Sequence, residues 1–138
     1  MATKTLEYIS TKMKNIDLCM LNTKSTRGSL TSRPMSNNGD VTYDGSSYFF
    51  SLEDTQKVKD IENDSSVNLN FSTKDEMYIC VTGKARIIRT KSMLADHWVP
   101  SLDQWFEDGV DTKGLIMIIV QAHVIRYWHK MDQGEIKV

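Results

Sequence analysis

Proline and cysteine are scarce in this 138-residue chain, at two residues each, and there are only seven glycines. That composition excludes collagen-like and proline-rich architectures, and no low-complexity tract, linker or internal repeat interrupts it. Two cysteines cannot build a disulfide framework or a four-thiolate zinc site. Cys19 and Cys80 each lie in an apolar, strand-like segment, where an unpaired thiol behaves as a small hydrophobe. Charge of one sign is missing too: 17 Lys plus Arg against 18 Asp plus Glu leave a formal net charge of −1. So balanced a chain has no electrostatic footprint for nucleic acid or an anionic membrane. An anionic ligand must be held by a few placed cations.

Long hydrophobic runs are also lacking. The longest, residues 115–120 (LIMIIV), is far too short to span a bilayer. The N-terminal stretch MATKTLEYISTKMK has no apolar core of signal-peptide length. The expectation is a soluble, cytoplasmic protein. Nor are the common catalytic signatures present: no G-x-G-x-x-G after a strand, no phosphate-binding Walker loop and no G-x-S-x-G elbow. His97, His123 and His129 have no metal-ligand spacing, so no metal site is expected. Glu107, Asp108 and Asp111, with Gly109, read as a solvated loop.

What is present is a run of short periodic segments within a single domain, 1–138. Leu6, Ile9, Met13 and Ile16 recur at helical spacing, predicting an amphipathic helix over about residues 4–15. Residues 17–24 form a strand, and Thr26-Arg27-Gly28 turns it into a hairpin with the stretch GSLTSRPMS. Asn37-Asn38-Gly39-Asp40 and Tyr43-Asp44-Gly45 are turn chemistry before a strand at 46–51. Ser51-Leu52-Glu53-Asp54 starts like a capping box, with Asp54 a competing cap, ahead of a short helix. That helix should turn Val58 and Ile61 inward and Lys57, Lys59 and Asp60 outward.

Val67, Leu69 and Phe71 alternate with polar residues as a half-buried strand. Residues 77–90 make a longer strand, with Gly83 marking a bulge or a close approach. Residues 91–106 hold helical pieces broken at Pro100, 114–128 form the last strand, and 130–138 read as a polar tail. Strands in hairpin-like runs without βαβ alternation point to a mainly β, α+β antiparallel barrel with helices at its ends. The run 115–120 is apolar on both alternating faces, so one face needs further cover. Either the chain's own helices or a second subunit would supply it.

One constellation carries chemistry. Arg33-Pro34 places a permanent cation beside a residue that cannot donate to a sheet ladder. Proline and arginine can simply guard an edge strand. They can also end the ladder where a ligand takes over. Arg33 offers a bidentate fork for a phosphate. Ser51 offers a hydroxyl where a strand ends and a helix begins, a place that favours anions. Lys57 adds a second cation, while Met35, Phe49 and Phe50 offer apolar surface for a flat ring. Phosphate at one end and an aromatic heterocycle at the other describe flavin mononucleotide (FMN).

The ordered set SRPM, YFFS, TQKV, VNLNF, YICVTGKARIIR, HW and VIRYW, spread over about residues 5–128, resembles the general stress protein branch of the pyridoxamine 5′-phosphate oxidase-like superfamily. The resemblance implies a six-stranded split β-barrel and a homodimer with FMN, or FAD, at the subunit interface. It implies that Arg33, Ser51 and Lys57 hold the phosphate, that Thr55 adds a hydroxyl, and that backbone at Pro34, Met35 and Phe50 lies along the ring with Phe49. Asn68 or Asn70 would meet the ring's polar edge, and Trp98 and Trp105 either close the cleft from the partner subunit or pack in the core. Ser51 and Thr55 stand where Thr and Ser are expected, both swaps keeping a hydroxyl.

The arginine-rich C-terminal segment with which true pyridoxamine phosphate oxidases hold substrate has no counterpart in the tail. The expected function is therefore FMN-dependent oxidoreduction, with NAD(P)H as candidate donor and no vitamin B6 chemistry. No catalytic side chain stands out. The rival reading is a flavin-binding module that stores or senses the cofactor without turnover. A third is a small barrel for haem or another ligand.

Overall fold

Strict alternation builds the sheet. Cys19, Leu21 and Thr23 on one strand and Val67, Leu69 and Phe71 on another are buried, while the residues between them point the other way. The computed structural model describes residues 4–37 and 41–138. The sequence-predicted turn at Asn38-Gly39-Asp40 lies outside the described residues.

In chain order the elements are α1 (Leu6–Met13), β1 (Leu18–Lys24), β2 (Leu30–Ser36), β3 (Ser46–Leu52), α2 (Gln56–Asn63), β4 (Ser66–Ser72), β5 (Met77–Ile88), α3 (Lys91–Asp96), 3₁₀ turns at Pro100–Gln104 and Gly109–Asp111, β6 (Leu115–His129) and β7 (Asp132–Lys137). Among the described residues these form one seven-stranded antiparallel sheet in the order β2-β1-β4-β5-β6-β3, with β7 also on β6. The terminal strands β2 and β3 do not pair, so the barrel is split rather than closed.

The long strand β6 organises everything else. One of its edges pairs with β5 from Met117 to His129. Its other edge is shared end to end, by β3 along Leu115–Gln121 and by β7 along Val124–His129. Residues 130–138, expected as a polar tail, thus contribute a seventh strand. Tyr127 explains why a glycine is needed there: a Cβ on Gly134 would lie 2.2 Å from the Tyr127 hydroxyl. The tail's polar sequence concealed this edge strand, whose only sheet partner among the described residues is β6.

Ile116, Ile118 and Val120 of β6 join the main core, whereas Leu115, Met117 and Ile119 enter a second cluster with Ile88 and Leu94. Met93, Trp98 and Phe106 pack on that second cluster. The two apolar faces of residues 115–120 are therefore both covered within the chain, the second by α3 and the segment after it. A second subunit is not needed for that purpose.

Three further details depart from expectation. Pro34 does not end the ladder, since β2 stays in register with β1 as far as Ser36. On an edge strand a missing N–H is tolerated wherever it faces the unpaired side. The cap of α2 is Thr55, without a side-chain cap bond, rather than Ser51 or Asp54. Asp60, expected outward, is fully buried. Its carboxylate has partners on three residues, and that is what makes burial tolerable.

Gly83 sits at the register shift between Thr82 and Gly83, as the sequence indicates. A Cβ there would lie 2.0 Å from the backbone oxygen of Gln121. Gly83→Ala should destabilise the fold by about 1–3 kcal/mol, read as a lowered Tm with β-sheet circular dichroism retained. An unchanged Tm would contradict this packing.

Candidate functional site

The gap between the unpaired edges is a cleft of about 650 Å³. β2 contributes Pro34, Met35 and Ser36, and β3 contributes the stretch from Tyr48 to Ser51. Lys57 from α2 stands on the lining with Ser51, and Lys14, Asp17 and Leu18 contribute from the end of α1 and the start of β1. A fourth wall comes from Val99, Leu102, Trp105 and Phe106 on the segment after α3. A separate cavity of about 30 Å³ beside Tyr43 has room for roughly one water.

The cationic end is built around a buried carboxylate. Asp60 Oδ2 accepts a hydrogen bond from Thr23 Oγ1 at 2.8 Å and pairs with Arg33 Nη2 at 3.5 Å. Its Oδ1 accepts from Gln56 Nε2 at 2.9 Å. Arg33 Nη1 donates to Thr23 Oγ1 at 2.7 Å and to the Leu21 carbonyl at 3.3 Å. Burial pulls the Arg33 guanidinium below its ordinary pKa, against the pull of Asp60. Lys57 is also held low, first by burial and then by the positive charge of Arg33. Two cations are thus kept close together against their mutual repulsion, which suits an anion carrying more than one charge.

Another part of the cleft is aromatic and apolar, next to polar lining from Ser36, Asn37, Ser101 and Gln104. Phe50 meets Trp98 edge to face at 5.0 Å between centroids, and Trp98 meets Phe106 at 5.9 Å. Trp98 Nε1 donates to Asp103 Oδ1 at 3.0 Å, tying down the 3₁₀ turn. Tyr48 stacks on His97 at 4.4 Å. Trp105 lines the cleft yet is 66% exposed, a large ring with one free face. Asn37, also on the lining, donates from Nδ2 to the carbonyls of Met13 and Ile16, fixing the junction of α1 and β1.

Of the residues singled out from sequence, Pro34, Met35, Phe49, Phe50, Ser51, Lys57 and Trp105 line the cleft. Arg33 stands behind it, bonded to Thr23 and Asp60. Thr55 donates to the Leu52 carbonyl. Trp98 packs in the second core cluster and is not on the lining. Asn68 and Asn70 lie on the outward face of β4: Asn68 accepts from Asn22 Nδ2 at 3.0 Å and contacts Cys80 Sγ at 2.9 Å, and Asn70 faces solvent. Cys19 is buried, its thiol pushed up to about 12 by desolvation, so it is an inert core residue.

Sequence reasoning missed Asp60, Thr23 and Gln56, as well as Lys14 and Asp17. A carboxylate two residues beyond the first buried position of a helix gives no local sign that it will be buried. Only the partners from β1 and β2 make it so.

A sequence profile described as "Pyridoxamine 5′-phosphate oxidase like" matches residues 4–138. General stress protein 26 of Bacillus subtilis (strain 168) is 30% identical over 87 residues, 60% of this chain and 59% of that protein. The match thus spans under two thirds of the relative's length. Among solved structures, a Clostridium acetobutylicum protein related to general stress protein 26, of the pyridoxinephosphate oxidase family, superposes with a TM-score of 0.82 at 14% identity, covering 95% of this chain and 93% of its own. General stress protein 26 from Bacillus anthracis gives 0.77 at 24% identity, covering 96% and 97%. A heme binding protein from Mycobacterium smegmatis gives 0.78 at 9% identity, covering 99% of this chain and 59% of its own.

The depressed Lys57 has a measurable consequence for the ligand-free protein. Below both its folded and its unfolded pKa, Lys57 is charged in either state and the fold carries a constant penalty. Between the two values the unfolded chain binds more protons, so stability rises with pH. Lys57→Gln should therefore stabilise the protein at neutral pH by about 0.5 kcal/mol, a size set by partial exposure and screening. The gain should shrink as pH climbs toward the unfolded lysine value near ~10.4. Thermal melts from neutral to alkaline pH test this, and a variant less stable at neutral pH would refute it.

Proposed function

The chain belongs to the pyridoxamine 5′-phosphate oxidase-like family, and from that premise we propose that its cleft holds flavin mononucleotide and that the protein is an FMN-dependent oxidoreductase. The observation that carries the reading is what one cleft brings together: Ser51 and Lys57 where β3 meets α2, with Arg33 next to Lys57, and an aromatic and apolar wall of Phe50, Val99, Leu102, Trp105 and Phe106. Ser51 and Lys57 would meet the phosphate, with Arg33 beside them as the fixed charge. Backbone at Met35 and Phe50 would run along the ring, and Trp105 would screen it from water. Bound flavin supplies hydride transfer; the chain's part is to bind, orient and dry the ring. NAD(P)H is the donor class to test first.

We further propose a homodimer. Leu18, Met20, Tyr78 and Trp128 lie on one outward sheet face and are all exposed, Leu18 by 58% and Tyr78 by 52%. Asn68 and Asn70 share that face. Leu18 also lines the cleft. A second copy seated there would bury the patch and close the cleft's mouth, and Asn68 or Asn70 would then be carried toward the partner's flavin. Among the described residues no helix is long and apolar enough to cross a membrane.

Storage or sensing of flavin without turnover is the second reading. It is favoured by a lining that places its lysines and aspartate with α1, β1 and α2 and puts no histidine or cysteine on the cleft surface among the described residues. NAD(P)H oxidation by FMN-loaded protein separates the two: turnover makes it an enzyme, and tight binding without turnover makes it a module. Pyridoxamine phosphate should not be oxidised, because Asp132–Lys137 contains no arginine and is paired to β6.

Arg33→Ala should weaken FMN binding roughly ten- to a few hundredfold, as loss of charge-assisted hydrogen bonds implies. Riboflavin, which lacks the phosphate, should bind wild type and variant alike. Equal FMN affinity in both proteins would reduce Arg33 to an edge-strand guard. Sedimentation of the flavin-loaded protein should give a dimer, and a 15.8 kDa monomer would sink that part of the proposal.

A further inference from the structure

Asp60 is the one charged residue among the described residues that is wholly buried, and nothing in binding a flavin ring requires it. Its partner Arg33 nonetheless stands close enough to Lys57, on the cleft lining beside Ser51, for the two charges to act on each other. The Thr23 hydroxyl donates to Asp60 Oδ2 and accepts from Arg33 Nη1, so it can serve both partners only in one orientation. The Leu21 carbonyl takes a second Nη1 bond, and Asp60 takes one from Nη2. These contacts engage the far end of the guanidinium. Nε–H and the remaining Nη2–H have no partner among the described residues. Asp60 itself belongs to α2, so its bonds to Thr23 on β1 and Arg33 on β2 also tie that helix, and Lys57 with it, to the sheet, while its Oδ1 accepts from Gln56 one turn earlier in the helix.

We propose that Asp60 is the positioning residue of the anion site: it clamps Arg33 directly and through Thr23, and by doing so from α2 it fixes that helix against β1 and β2, so that the free guanidinium edge and Lys57 are held side by side for a phosphate ester. The inference rests on the flavin-phosphate reading above. It makes a claim that simple charge counting opposes. Removing a buried negative charge from beside an anion site should tighten anion binding if Coulomb attraction alone decides. If positioning decides, binding weakens, because a rigid bidentate fork loses its orientation.

The test is titration of Asp60→Asn with FMN and with riboflavin, alongside thermal melting and circular dichroism. FMN affinity should fall roughly tenfold or more while riboflavin affinity stays within about twofold of wild type. FMN affinity that is unchanged or raised overturns the proposal. So does a parallel loss for both ligands, which would mark Asp60 as merely structural. Thr23→Val, which leaves the carboxylate but removes the bridging hydroxyl, should show the same FMN-selective loss to a smaller degree, and it carries the test if Asp60→Asn does not fold. Wild-type protein with no preference for FMN over riboflavin overturns the phosphate reading and this inference with it. A wild-type preference that persists undiminished in the folded variants overturns the positioning role alone.

Discussion

β2 and β3 end the sheet at opposite sides and face the same gap, and each element of the candidate site is where it is because those two edges never meet. Exposed edges are normally a liability, open to pairing with another chain. Here β2 carries Pro34, which cannot donate, and β3 presents residues packed between two core clusters. Had the edges paired, the barrel would have closed over its own interior. Held apart, they line a groove together with the end of α1, Lys57 of α2 and the segment after α3.

What keeps them apart is the length of β6. A strand that runs from Leu115 to His129 can hold β3 on one half of an edge and β7 on the other. Val138 meets Gly45, where a Cβ would sit 3.0 Å from the valine side chain, so the end of β7 abuts the start of β3. β3 is thereby fixed against β6 and has no freedom to swing across to β2. The second apolar face of β6 draws α3 and the aromatic segment after it onto the same side. That packing brings Trp105 and Phe106 to the cleft. Core packing and site construction are one event here.

The pattern of periodicity was readable from sequence wherever burial alternates. β4 and β5, the bulge at Gly83 and the helix break at Pro100 all follow from local composition. Of the cleft, the residues on consecutive short elements (Met35, Phe50, Ser51, Lys57) were legible because chain order and spatial order coincide there. Asp60 and β7 were not. Asp60 sits among outward lysines on a short helix, and its burial is decided by Thr23 and Arg33, distant in sequence. β7 has strand periodicity too weak to see, with Ile136 as its only large apolar residue, and it forms because β6 offers an unpaired edge. Long-range partners, not propensity, settle both.

The same logic explains why the site is held under tension. Arg33 and Lys57 repel each other, and burial makes both charges more costly. A fold optimised only for stability would lose one of them. Retaining both is tolerable because Asp60 offsets part of the charge beneath, at the expense of a buried carboxylate whose partners must all be in place. Breaking one partner of such a network leaves the others buried and unpaired, so its members are expected to depend on one another rather than add independently. An arriving dianion would relieve the repulsion between Arg33 and Lys57. Anion binding should therefore stabilise the protein by more than simple occupancy of one cation would give, and the excess should vanish with Lys57 replaced by an uncharged side chain.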